Sequence, residues 1–254
     1  MKIINENDEN NSDDINSKKK QLTRYLKNDV ITEKEKDHLE EYIKDFTIKI
    51  FSSEDLNMYN LKTKTEMQNA ISNSYGRQYF IKILLKNICS NNVVLLNYSC
   101  FNFLGTLIYN LILSTLKIEE TDEILEQIIN LIKSMNFFGK KEYKKNGEIT
   151  ITLWDIYKPK IQTLPKVMQI NFWDKWYEIE YNILEQKNDK GIQDIIYSIC
   201  DLMISIELPK SFIKNVLQNL VNNIFGKDTE MSTSTFNVFI EKIINAKYIS
   251  QVLI

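Results

Sequence analysis

Apolar residues along this chain recur at intervals of three and four, the spacing that gathers them on one face of an α-helix. The first stripe is Leu39, Tyr42, Ile43, Phe46 and Ile50. Thr32 and Glu35 precede it in the Ser/Thr-x-x-Glu form that satisfies unpaired amides in a first helical turn. A helix is therefore predicted to about Phe51. Tyr79, Phe80, Ile83 and Leu84 predict another over about 76–87. Residues 52–73 lie between them, polar and poorly periodic. They are expected to form a linker with room for one short helix.

The span 93–116 contains no charged residue and is long enough to cross a bilayer. Asn97, Tyr98 and Ser99 interrupt it with capping chemistry. After this break Phe103, Leu104, Leu107, Ile108, Leu111 and Ile112 repeat at helical spacing. A buried central helix is expected here rather than a transmembrane span. Thr121 is a predicted N-cap, with Asp122 and Glu123 placed to complement the positive end of the helix dipole. Ile124, Ile128, Leu131, Ile132 and Met135 form the next stripe, with a stop expected near Gly139.

The following segment breaks the helical rhythm. Residues 140–147 are expected to be a charged loop. Ile149, Ile151 and Leu153 alternate with Thr150, Thr152 and Trp154 as in a strand. No partner strand is evident in the chain, so a short helix or an extended segment is expected instead. Helical spacing then returns with Phe172, Trp173, Trp176, Tyr177, Tyr181 and Leu184, and again from Ile192 to Ile206. Pro209 suits a first-turn position ahead of the stripe Phe212, Ile213, Val216, Leu217, Leu220, Val221 and Ile224, which stops at Gly226. Residues 232–235 are expected to cap a last helix carrying Phe236, Phe239, Ile240, Ile243 and Ile244.

The pattern predicts an all-α fold, an irregular helical bundle or array of about eight helices with no strand pair. Residues 1–30 are too polar to offset their ordering entropy and are expected to form a disordered tail. The N-terminal helix and linker occupy 31–75, and the helical domain occupies 76–254. No signature recurs at fixed offset, so a repeat solenoid is not expected.

Composition narrows the chemistry. The 254 residues carry 32 Lys+Arg against 34 Asp+Glu, a net charge of -2. This lacks the positive excess of a dedicated nucleic-acid binder. His38 is the only histidine, so no His-based triad or two-His metal site is expected within the chain. His38 itself is expected at the helix surface. The six glycines stand singly, without a phosphate loop, and no cofactor site is expected. Cys89, Cys100 and Cys200 are odd in number and far apart. They are expected as buried small hydrophobes in a reducing cytoplasm. The acidic run Glu119, Glu120, Asp122 and Glu123 coincides with a helix start, where dipole complementarity is sufficient cause.

Two clusters remain as candidate sites. Lys140, Lys141, Lys144 and Lys145 form the densest positive patch, a candidate anion-binding loop for a peripheral contact with an anionic membrane or for RNA. Phe172, Trp173, Trp176, Tyr177 and Tyr181 form the densest aromatic segment. Helical spacing assigns much of it to a core, but its width around the helix places rings near the surface, where Trp and Tyr anchor protein partners.

The aromatics also carry a family resemblance. Gly76-Arg77-x-x-Phe80 leads through Leu84-Leu85 to Ser99-x-Phe101 and Leu104. Trp154 and Tyr157 precede Pro165 and then Phe172-Trp173-Asp174. Leu202-Met203 and Ile206-Glu207-Leu208-Pro209 lead into Phe212 and Val216. This order resembles the helical domain of the Set-binding-factor family. That domain lies between the DENN and membrane-binding modules of certain catalytically inactive myotubularins, and it also occurs in stand-alone proteins. The resemblance covers about 76–244. Phe172-Trp173-Asp174 stands for the family's Phe-Trp-Glu, Leu164-Pro165 for His-Pro, Val167 for the following Trp, and Ile206-Glu207-Leu208-Pro209 for Phe-Gly-Leu-Pro. The resemblance implies a noncatalytic interaction domain associated with Rab or phosphoinositide regulators, and it transfers no catalytic residue.

The expected function is thus a cytoplasmic, noncatalytic scaffold or adaptor binding a protein partner, with a role in membrane traffic. The alternative is a MIF4G/HEAT-like module that binds RNA or translation factors. A small enzyme completed by its partner is a third reading.

Overall fold

The computed structural model describes residues 31–53, 61–88, 93–117, 121–144, 147–185, 191–225 and 241. Among them are nine α-helices and one small sheet, an all-α irregular array as expected. The expected tail at 1–30, Cys89, Glu119, Glu120, Lys145, the stop at Gly226 and, apart from Glu241, the last helix all lie outside the described residues. The chain divides into two compact units, Met1–Lys117 with Asn130–Trp154, and Ile118–Ile129 with Asp155–Ile254. This division does not fall at 75/76.

In the first unit α1 (Glu33–Phe51) begins with the predicted capping box, in which Thr32 and Glu35 satisfy each other's backbone amides. It buries Leu39, Ile43, Phe46 and Ile50. The expected linker contains a full helix, α2 (Leu61–Ser72), which buries Met67, Ala70 and Ile71. With α3 (Ser74–Ile88) it packs on α1. Gly76 permits the close approach of α2 and α3: a Cβ there would lie 2.2 Å from the Ala70 carbonyl oxygen. The span 93–116 holds a two-residue strand, β1 (Val94–Leu95), and α4 (Tyr98–Thr115). Asn97 caps α4, its side-chain oxygen accepting from the Cys100 amide at 2.8 Å. No helix among the described residues is long and apolar enough to cross a membrane.

The unit division falls within α5 (Asp122–Ser134), which starts at Thr121 as predicted, the Ile124 amide donating to its hydroxyl at 3.3 Å. The helix ends before Gly139, passing through a short 3-10 turn, Met135–Phe137. The expected charged loop is mostly strand. β2 (Phe138–Lys144) pairs antiparallel with β3 (Gly147–Thr152) and parallel with β1, giving the order β1-β2-β3. The expectation of no strand pair is therefore corrected. Phe138 and Gly139 are buried at the start of β2, and Phe138 stacks on Phe51 at 5.3 Å. The charged remainder of β2 lies against β3 and solvent.

The second unit contains α7 (Ile170–Glu185), α8 (Ile192–Ser205) and α9 (Lys210–Phe225), which pack on one another, while α6 (Leu153–Gln162) joins the units in sequence. The turn between α8 and α9 has a physical cause. Glu207 takes a left-handed conformation (φ 56), and the Leu208 amide donates to the Met203 carbonyl five residues back. This is a Schellman stop with the buried Leu208 sealing it, and Pro209 immediately precedes the next helix. Ile199, Met203, Ile213, Val216 and Leu217 are fully buried in this unit. Each such side chain contributes about 1.5–3 kcal/mol relative to exposure.

Candidate functional site

Helix α7 divides the aromatic segment by face. Phe172 and Trp173 are 1 % exposed and Trp176 is 6 % exposed. Their rings form one cluster, with centroids 5.2 to 5.9 Å apart. The indole of Trp173 donates to the Val167 carbonyl at 2.9 Å. These three residues are core, and as candidate partner contacts they are corrected: a buried ring cannot meet a partner without unpacking the unit. Tyr177 and Tyr181 are half-buried and stack at 6.0 Å on a neighbouring face of the same helix.

That face lines a groove of about 340 Å³. Asp174, Tyr177 and Tyr181 come from α7, Ile192 from the start of α8, and Leu220, Asn223 and Ile224 from α9. Positions 174, 177 and 181 share a face because spacings of three and four return to one side of the helix. Positions 220, 223 and 224 do the same on α9. Among the described residues the lining is thus aromatic and aliphatic, with the amide of Asn223 and a single carboxylate. Asn219 positions Asp174, its amide nitrogen donating to both carboxylate oxygens at 2.8 and 2.9 Å. Burial raises the Asp174 carboxyl above its ordinary range despite this hydrogen bond, and burial also raises the Tyr177 hydroxyl. The aromatic signal pointed to α7, whereas Asp174, Asn219, Ile192 and the α9 contribution were not singled out as site residues.

The lysine patch is differently built from the expected loop. Lys140 pairs with Glu142 at 2.6 Å and lies over the rings of Tyr98 and Phe101 at 4.8 and 5.4 Å. Lys141 pairs with Glu148 at 2.7 Å, which raises the lysine's pKa and lowers that of the glutamate. Lys144 is exposed at the end of β2. The patch therefore presents less net positive charge than its sequence spelled out. A second cleft in the first unit runs beside Tyr98, which is 69 % exposed, and is lined by Ser53, Leu95, Leu96, Asn97 and Lys140, Lys141 and Glu142 of β2.

Cys100 and Cys200 are fully buried, in line with the reading of them as small core residues. His38 is half-buried on α1. No group of three His, Cys, Asp or Glu among the described residues has the arrangement to hold a metal ion. No protein-family model, no curated protein and no solved structure matches this chain.

Proposed function

We propose that this chain is a noncatalytic helical scaffold or adaptor that engages a protein partner through the groove between α7 and α9. The observation that carries this reading is the groove itself: two half-exposed tyrosines beside Leu220 and Ile224, on helices whose other faces are anchored by the buried Phe172, Trp173 and Trp176 cluster. Rigid aromatics on a firmly packed helix lose little entropy on binding, which is why such residues dominate protein interfaces. Grooves of this shape accept an amphipathic helix or a short peptide. The resemblance to the Set-binding-factor helical domain supports placing the partner among Rab or phosphoinositide regulators. The scarcity of His and Gly in the sequence supports a role without chemistry of its own.

The test is a binding panel of small GTPases, anionic vesicles and structured RNA against the wild-type chain and a Tyr177→Ala/Tyr181→Ala variant. GTPase binding that persists under RNA competition and weakens at least tenfold in the variant supports the proposal, whereas binding to vesicles alone counts against a protein partner at this groove. RNA binding that falls steeply with salt supports the MIF4G/HEAT-like alternative instead. Turnover of any substrate on a hydrolase and phosphatase panel refutes the noncatalytic reading.

A further inference from the structure

The groove between α7 and α9 holds a feature that protein binding alone does not require. Asp174 lies among Tyr177, Tyr181, Ile192, Leu220 and Ile224, a lining that is otherwise uncharged among the described residues. Among the described residues its one hydrogen-bond donor is the neutral amide of Asn219. An ionised carboxylate has about four acceptor positions, and one NH₂ group leaves most of them open. Among the described residues no Lys or Arg pairs with it, and no charged neighbour contributes to its electrostatics. Half-buried carboxylates are ordinarily paired, because an uncompensated charge in an apolar site is costly.

Aromatic rings and a carboxylate around an aliphatic floor match the chemistry of one ligand class, an organic cation on an apolar stem. The charge is attracted by the tyrosine rings and hydrogen-bonded by the carboxylate, while the stem covers Leu220 and Ile224. An acidic group is repelled by Asp174, and a neutral donor gains a hydrogen bond from it without the charge attraction that strengthens the bond to a cation. Resting on the reading of the groove as a protein-binding site, we infer that it receives a basic side chain, a lysine or arginine of the partner, whose cationic head meets Asp174 and whose stem lies along Tyr177, Tyr181 and Leu220. Asp174 is then the specificity-determining residue, and Asn219 positions it.

The test uses the full chain with ring-labelled tyrosine, the Tyr177 and Tyr181 signals being assigned from the corresponding Tyr→Phe variants. n-Butylammonium serves as the probe, an analogue of the lysine side chain, with n-butanol and butyrate as controls at up to about 100 mM, the range expected for so small a ligand. Butylammonium is expected to shift both signals with an affinity about tenfold above that of butanol, one charge-assisted hydrogen bond's worth. Asp174→Asn should reduce it to the butanol level. In the wild type the butylammonium response should fade as Asp174 protonates in acid, while the butanol response stays constant, a check that needs no variant to fold. Equal responses to the cation and the alcohol, a response unchanged by Asp174→Asn, or no response to butylammonium would each overturn the inference. The two proposals fail separately. Partner binding that depends on Tyr177 and Tyr181 but is unchanged by Asp174→Asn retains the adaptor reading and removes the cation site. Butylammonium binding without any tyrosine-dependent partner does the reverse.

Discussion

Replacing Gly76 by alanine should destabilise the chain, against the direction that helix propensity gives. Gly76 lies in the first turns of α3, where alanine ordinarily favours a helix over glycine by about 1 kcal/mol. Here the added Cβ would lie 2.2 Å from the carbonyl oxygen of Ala70, 3.1 Å from its carbon and 3.2 Å from Cδ2 of Leu39. The first contact is with backbone, which cannot rotate aside, so α2 must shift relative to α3 by about 1 Å. Ala70 and Leu39 are 2 % and 1 % exposed, so the shift propagates into packed core. Overpacking of this kind costs about 1–3 kcal/mol, and a backbone clash belongs at the upper end. Subtracting the propensity gain leaves a net loss of about 2 kcal/mol, equivalent to a fall of roughly 4–8 °C in Tm for a chain of this size. Urea denaturation followed by circular dichroism at 222 nm measures it, with a lowered midpoint and an unchanged slope. A variant as stable as the wild type, or more stable, would refute the close-approach reasoning.

Three further perturbations probe other parts of the fold. Asn97→Ala removes the cap on the Cys100 amide and the 2.7 Å bond that the side-chain amide donates to the Ser53 carbonyl, at about 1 kcal/mol each. Asn97→Ser keeps a side-chain acceptor for the Cys100 amide without placing a second oxygen against the Ser53 carbonyl, and should lose about half as much by urea denaturation; equal losses in the two variants would contradict the two-part role. Trp173→Phe leaves the buried Val167 carbonyl without its indole donor and opens a small void, a loss of about 2–4 kcal/mol. A loss below about 1 kcal/mol would show that this hydrogen bond is not structural. Asp174 carries a pH signature: burial raises its folded pKa above the unfolded value, so the folded state binds this proton more tightly. The stability of the wild type relative to Asp174→Asn should therefore rise as pH falls from neutral through the raised pKa, and a slope of the opposite sign in a pH series of unfolding curves would refute the assignment.

The helices that could be read from the sequence are those whose ends and faces are specified locally. Thr32 with Glu35, Asn97 and Thr121 each supply a cap within three residues of the amide they satisfy, and the stripes they introduce are long and apolar. Helix α2 gives no such signal. Among its described side chains Met67, Ala70 and Ile71 are buried, in the largely polar stretch LKTKTEMQNAIS, and it is held by packing on α1, α3 and α4. The sheet failed for a related reason. The alternation in β3 was visible, but its partner β2 reads as a charged loop because Lys140, Lys141, Glu142 and Lys144 occupy a strand with only its first two residues buried. β1 is two residues long and joins β2 from more than forty positions upstream, a pairing that no local pattern encodes.

The aromatic segment of α7 shows why a dense apolar signal locates a helix more readily than it locates a site. A stripe read for strength selects the face that is buried most deeply, and here that face is Phe172, Trp173 and Trp176. The groove lies on the next face, where Asp174, Tyr177 and Tyr181 mix one charge with two amphipathic rings. Such a mixture is visible in sequence as a polar residue within an aromatic run, at spacings of three and four. What the sequence withholds is that this face meets Leu220, Asn223 and Ile224 on α9, some forty residues later. The distinction decides which variants are informative. Trp176→Ala removes a core ring, costs about 3–5 kcal/mol and weakens partner binding by unfolding the unit, whatever the groove does. Tyr177→Ala and Tyr181→Ala remove half-exposed rings from a helix that the Trp173 cluster still anchors, so binding that survives in both, in a chain shown by its unfolding midpoint to be folded, would exclude this face as the partner surface.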